Sequence, residues 1–233
     1  MRLPPLPLSS HPSAWGGRPA AGRWEALSPS SPDPSPSPPE DTSCRFCGAY
    51  AKGRQEAFHL DGDHANDAPA NLVRACSLCH LTQHLDLASA ERAASLIWLP
   101  EMPQQAIFAI TRSAHLALLI AGEDPTLGTP PRQDTPAIVA AWRALSALRA
   151  REAACARRLR TTDPATLGGA LLGLTARAYG DRATLLQGVR LLPLGRLVRE
   201  DKDIYPELLR AWAAAPVAQA HLPGRQGISR RPR

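Results

Sequence analysis

From residue 44 onward, apolar and polar positions recur with recognisable periods. QEAFHL (55–60) and NLVRA (71–75) are each the length of a short strand, and the loop between them opens on an Asp61-Gly62 turn. CHLTQHLDLASAERAA (79–94) has helical character, so the order is strand, loop, strand, helix: a ββα unit. SLIWLP (95–100), an apolar run closed by proline, predicts a buried strand or an extended connector. Pro103 suits the first position of a helix running to about Ala121 and stopped by Gly122. EDPTLGTPPRQD is a loop, and Thr135 before Pro136 predicts the N-cap of a long helix to about Arg160. That helix places Ile138, Trp142, Leu145, Leu148 and Ala156 on one side and Arg143, Arg151, Arg157 and Arg158 on the other. Arg149 falls inside the apolar stripe, so its head must reach an edge or a carboxylate. Asp163 before Pro164 predicts a capped Gly-rich helix, followed by a helical region over about 175–192 that breaks at Pro193. A last helix over about 205–215 presents Leu208, Leu209 and Trp212.

Residues 1–43 contrast with this. They hold 11 of the 24 prolines and 9 serines, a density that neither closes a core nor supplies backbone donors, and the expectation is a disordered or extended leader. Trp15 and Trp24 are its large apolar groups, either anchors that dock on the folded part or a partner, or mobile side chains. The expected division is a leader (1–43), a cysteine-bearing module (44–94), a mostly helical domain (95–216) and a basic flexible tail (217–233).

The chain has 233 residues and a formal charge of +6. A nucleic-acid reading follows from the sign but is weakened by the distribution: residues 44–87 hold 4 Lys and Arg against 5 Asp and Glu, whereas 217–233 hold 4 Arg and no acid. Nucleic acid therefore ranks below protein as a partner. The longest charge-free apolar stretch, between Asp163 and Arg177, falls short of the ~20 residues of a spanning helix and contains Pro164 and three glycines, so direct membrane insertion is not expected. Prolines occupy the place of a signal peptide's apolar run near the N-terminus, and the expected location is the reducing cytoplasm.

Cys44 and Cys47 form one CxxC pair and Cys76 and Cys79 a second, with 28 residues between them. Two residues between cysteines is a spacing that lets both sulfurs reach one tetrahedral ion, and two such pairs complete a structural zinc site. Cys155, in REAACARRL, is a small buried filler rather than a nucleophile. The intervening stretch carries His59, Asp61, Asp63, His64, Asn66 and Asn71, and His80 and His84 follow one helical turn apart. Asp61 and Asp63 around Gly62 are also ordinary turn chemistry, and His80 and His84 either pack on their helix or hold a second ion.

CRFCG, FHLDGDHAN and NLVRACSLCH followed by His84 together resemble the HNH nuclease module. The resemblance implies a ββα fold that clamps one catalytic divalent ion, with His59 as general base, Asn71 fixing its orientation, and His80 and His84 as ligands. Active members carry His or Asp immediately before the base; this chain has Phe58, so the ion would lack a ligand unless Asp61 or His64 supplied it. The expected fold class is α+β: a small HNH-like ββα zinc module packed against a predominantly helical C-terminal region.

Over about 44–215, CRFCG, LDGDHAN, NLVRACSLC, IWLPEM, DPATLG, RLLP and AWAAA occur in an order that resembles the IcmJ (DotN) family of type IVB, Dot/Icm-like secretion systems. That resemblance implies a zinc-stabilised cytoplasmic adapter recruited to the inner-membrane coupling complex, with the C-terminal segment of the coupling ATPase as ligand. The alternative it leaves standing is a metal-dependent DNA endonuclease.

Overall fold

The computed structural model describes residues 4–16, 43–126 and 128–215. It is a mixed α/β structure of three two-stranded antiparallel sheets and a set of helices. β1 (Gln55–His59) pairs with β2 (Leu72–Cys76) in the register Gln55 to Cys76 and His59 to Leu72. This brings the second cysteine pair and the histidine that ends β1 to opposite ends of one hairpin.

The helix expected over 79–94 is instead broken. α1 (Ser77–His80) passes into a 3-10 turn (Leu81–Gln83), and α2 (Leu85–Ala90) starts anew after His84, whose φ of −123° and ψ of 61° are not helical. Competing hydrogen bonds explain the break. The Thr82 hydroxyl donates to the Cys79 carbonyl at 2.7 Å, and the Thr82 carbonyl accepts from the Ser9 amide at 3.0 Å, so neither is free to extend the ladder.

β3 (Ala94–Trp98) pairs with β4 (Val189–Pro193), which lies within the region expected to be helical up to Leu192. Only two short helices, α7 (Ala176–Gly180) and α8 (Arg182–Leu185), form there. The outer edge of β4 is satisfied by a side chain: Gln104 accepts from the Leu191 amide at 2.8 Å and donates to its carbonyl at 2.7 Å.

α3 (Gln104–Ile120) begins after Pro103, as the sequence predicts. The long helix expected to Arg160 divides into α4 (Pro136–Arg149) and α5 (Glu152–Leu159) at a turn over residues 150–151, where the Arg151 carbonyl accepts from both the Cys155 amide at 3.2 Å and the Trp98 amide of β3 at 3.3 Å. Thr135 stands at the N-cap position but makes no capping bond. Arg149 reaches loop carbonyls rather than a carboxylate: its Nη2 donates to Thr126 at 3.2 Å. Asp163 caps α6 (Pro164–Leu172), accepting from the Thr166 amide at 2.8 Å. β5 (Val198–Arg199) and β6 (Lys202–Asp203) form a minimal hairpin before α9 (Tyr205–Ala214).

One buried cluster runs through the cysteine module and the helical region, joining Phe46, Phe58, Leu78 and Leu85 to Leu96, Phe108, Leu191, Tyr205 and Leu208. The leader, expected to be disordered or extended, contributes Leu6 and Leu8 to it. Leu6 and Leu8 are buried, the Gly16 amide donates to Asp86 at 2.9 Å, and Trp15 lies so close to α6 that a Cβ on Gly168 would meet its ring at 2.4 Å. Trp24 and residues 217–233 lie outside the described residues. Cys155 is fully buried against the Thr161 carbonyl, and burial, followed by Glu152, pushes its thiol up to about 11.

Within the core His115 Nδ1 and the Tyr205 hydroxyl share a hydrogen bond of 2.9 Å. Burial, followed by the Arg149 charge, pushes His115 down from 6.5 to about 4. The folded state therefore keeps this imidazole neutral where the unfolded chain takes up a proton. Its contribution is fully present above pH 6.5 and is lost as the pH falls toward 4, for a total of about 3 kcal/mol. Urea unfolding at pH 7 and pH 4 is expected to show this loss in the wild type and a correspondingly smaller one in His115→Gln. Equal losses in the two proteins would contradict it.

Candidate metal centres

The first cysteine pair sits on a knuckle. The Cys44 amide donates to the Ala49 carbonyl at 2.8 Å and the Gly48 amide to the Cys44 carbonyl at 2.9 Å, with Gly48 at a φ of +69° that a side chain rarely adopts. The Arg45 amide donates to the Arg74 carbonyl at 2.8 Å, which ties the knuckle to β2. Cys76 ends β2 and Cys79 lies in α1, so strand and helix present the second pair to the first.

All four sulfurs lie within 4.8 Å of one another, and Cys47 and Cys76 are 3.5 Å apart. Four thiolates around one zinc ion at ~2.3 Å stand about 3.8 Å from each other, so the cluster fits a tetrahedral ion closely. The five cysteines are all reduced. Hydrogen bonds from Cys44, then Cys76 and Cys79, together with the Arg112 charge, hold the Cys47 thiol far below its ordinary range; burial drives Cys79 up. Arg112 Nη1 donates to Cys47 Sγ at 3.1 Å. Four sulfurs this close and this buried cannot all carry charge on their own, and a divalent cation is the species that would let them.

A second cluster gathers on the other side of Phe58, whose ring packs 4.5 Å from Phe46 and 6.2 Å from His80. Its members are His64 from the loop, His80 at the end of α1 and His84 at the helix break, with ligand nitrogens within 4.8 Å of one another. His80 Nε2 and His84 Nε2 are 3.4 Å apart. Burial first, and then the neighbouring imidazoles, keep both rings well below their ordinary pKa and so neutral, the form that coordinates. Glu56 of β1 faces the same group: its carboxylate pairs with His80 Nδ1 at 2.8 Å and accepts from the Ser77 hydroxyl at 2.7 Å.

His59 borders this cluster, its ring stacked 4.6 Å from His64. Asp67, not Asn71, holds it, through a 2.9 Å contact to Nε2. Asn71 braces the loop instead, donating to Asp61 and to the Asn66 carbonyl and accepting from the Asp61 amide. Asp61 also accepts from Asn66 and the Asp63 amide, and Asp63 from the Ala65 amide, so both carboxylates serve as turn residues.

No family model matches the chain. It is similar to the type 4 apparatus protein DotN of Legionella pneumophila subsp. pneumophila strain Philadelphia 1, with 24% identity over 181 residues, covering 76% of this chain and 75% of that protein. This supports assignment of the chain to the DotN (IcmJ) family. The match spans far more than the cysteine module, so the DotN likeness rests on the helical region as well. Among the described residues no helix is long and apolar enough to cross a membrane.

Glu56 and Asp67 are the site residues whose roles sequence patterning did not reveal. Glu56 left a signal: it shares the inward face of β1 with Phe58, and an acid in that register needs a buried partner. Asp67 left none, since His59 is reached through loop geometry alone.

Proposed function

We propose that this chain is a zinc-stabilised adapter of a type IVB secretion coupling complex that docks the C-terminal segment of the coupling ATPase. The observation that carries this reading is the match to DotN across three quarters of both chains. The zinc assignment rests on two CxxC pairs and a sulfur cluster of tetrahedral size.

A groove of about 350 Å³ supports the docking reading. The knuckle residues Gly48–Tyr50 form one wall, and Arg112, Leu116, Leu209 and Trp212 of α3 and α9 the other. Trp212 lies under the Arg112 guanidinium at 5.4 Å, and its buried indole N–H has no acceptor among the described residues. A trough lined by Leu116, Leu209 and Trp212 suits an extended or helical peptide that brings apolar side chains. Its position makes the metal a structural support for the binding surface.

Co-expression with the coupling ATPase tests the reading. The two proteins are expected to co-purify, and Trp212→Ala is expected to lose most of the ATPase while keeping its fold. Failure of the intact, metal-loaded chain to retain the ATPase would count against the role.

The proximity of His59 to the three-histidine cluster favours a second reading, an HNH-type endonuclease with His59 as general base, held by Asp67 in place of the expected Asn71. It predicts plasmid nicking with magnesium, manganese or nickel that disappears in His59→Ala. No nicking with any of the three ions would end it.

A further inference from the structure

We propose that the channel between the hairpin loop, the helix break and α6 is a linear-peptide binding site whose resident ligand is the chain's own residues 4–16, held reversibly. This inference goes beyond the adapter reading: the channel shares no lining residue with the groove at Trp212 and does not depend on either metal centre.

Residues 4–16 pack as a bound peptide packs. They form no helix or strand, and among the described residues one main-chain bond joins them to the rest of the fold, from the Ser9 amide to the Thr82 carbonyl at 3.0 Å. Burial alternates as in an extended ligand: Leu6 and Leu8 are buried, Pro5 is exposed and Pro7 half-buried. Pro4, Pro5 and Pro7 restrict the backbone before it docks, so less conformational entropy is lost on binding.

The channel meets the peptide with polar partners along its length. Gln105 of α3 donates to the Pro4 carbonyl, the His64 amide donates to the Ser13 hydroxyl at 2.9 Å, and Asp86 of α2 accepts from the Gly16 amide at 2.9 Å. These partners belong to a loop and two helices, so the site is a property of the assembled fold rather than of one segment.

Gly168 shows that α6 is shaped to receive the peptide. It lies inside the helix, where glycine is a weak helix former and alanine a better one. A Cβ there would strike the Trp15 ring and come within 2.8 Å of the Ser10 hydroxyl, so the missing methyl is the space that the peptide fills.

Reversibility follows from how thinly the peptide is held. Two leucines and a half-buried tryptophan anchor it, and the Ser10 hydroxyl is buried with no partner among the described residues. A buried hydroxyl left unpaired weakens an interface, and a weakly held segment opens at less cost than global unfolding. Residues 17–42 lie between the peptide and the knuckle, which leaves length for it to lift away while tethered. Lifting it uncovers the Asp63–His64 loop, which His11 and Ser13 contact.

A fluorescently labelled peptide of residues 4–16, added to the metal-loaded full chain, tests the site. In the wild type the tethered copy competes at high effective concentration, and in Leu8→Asp it does not. The peptide is therefore expected to bind Leu8→Asp one to one and at least about tenfold more tightly than the wild type. Adding Gly168→Ala to Leu8→Asp is expected to abolish that binding although alanine favours α6, and the melting transition of each variant reports its fold. Hydrogen exchange on the wild type reads the same opening: the Ser9 and Gly16 amides are expected to exchange at least about tenfold faster than the core Leu96 amide, which bonds to Thr162. Loss of cooperative melting in Leu8→Asp, or exchange at Ser9 and Gly16 no faster than at Leu96, would make the segment part of the core and overturn reversible docking. No binding to folded Leu8→Asp, equal binding to it and to the wild type, or binding that Gly168→Ala leaves unchanged would overturn the channel.

Discussion

Removing the metal from the four-cysteine site is expected to unfold this protein. Structural zinc bound by thiolates contributes an apparent ~10–16 kcal/mol at neutral pH, which matches or exceeds the ~5–15 kcal/mol that a domain retains in total. Without the ion, three deeply buried thiols and Cys47 would sit within 4.8 Å of one another beside Arg112, with their charge unresolved. Besides the metal, the knuckle is held by two backbone hydrogen bonds that close its turn, one that ties it to β2, and a 2.7 Å bond from Gln55 Nε2 of β1 to the Ala49 carbonyl. Phe46, between the first two cysteines, belongs to the same buried cluster as Leu96 and Phe108, so the loss would spread beyond the hairpin. Circular dichroism and a thermal melt after chelation, with removal verified by metal analysis, should show loss of the cooperative transition. Cys76→Ser should behave like the stripped protein. An unchanged melt in verified metal-free protein would contradict this.

Tyr205→Ala is expected to be the most damaging substitution outside the cysteines. The ring is fully buried at the first position of α9, 5.6 Å from His115 and 6.4 Å from Trp212 between centroids. Emptying an aromatic site costs about 3–5 kcal/mol through lost burial and the cavity left behind. His115 would also lose the partner of its Nδ1, a further cost of about 1–3 kcal/mol. Tyr205→Phe isolates that second part and should lose only about 1–3 kcal/mol. Because α9 carries Leu209 and Trp212 to the groove, Tyr205→Ala should also weaken partner binding in the fraction that remains folded. Denaturant unfolding of the metal-loaded variants is the measurement. A loss under about 1 kcal/mol in Tyr205→Ala would show that α9 is held in some other way.

What the sequence could reveal here depended on how local the signal was. The sulfur cluster was legible because CxxC spacing is a short-range geometric constraint, and β1, β2 and β3 were legible because each is a short, bounded run. β4 was not, since RLLP reads equally as the end of a helix, and its strand state depends on β3 and on Gln104, over 80 residues earlier. The same holds for the break at His84, where the distant Ser9 amide takes the Thr82 carbonyl that a continuous helix would have used. His80 and His84 were legible as a pair from their spacing, yet they meet across a helix break rather than along one helix face. The third member, His64, comes from a loop whose path is set by Asp61, Asn66 and Asn71. Residues 4–16 show the limit of composition as a guide. Leu6, Leu8 and Trp15 find apolar contacts on the fold although the surrounding prolines argue for an extended chain.

The central claim is that a cysteine-bound metal holds up a surface for the coupling ATPase. Calorimetric titration of the metal-loaded chain with the ATPase's C-terminal segment tests it most directly. The account predicts saturable one-to-one binding that is lost or greatly weakened in Trp212→Ala while that variant keeps its melting transition. Absence of binding to the metal-loaded wild type, or binding that Trp212→Ala leaves unchanged, would contradict it.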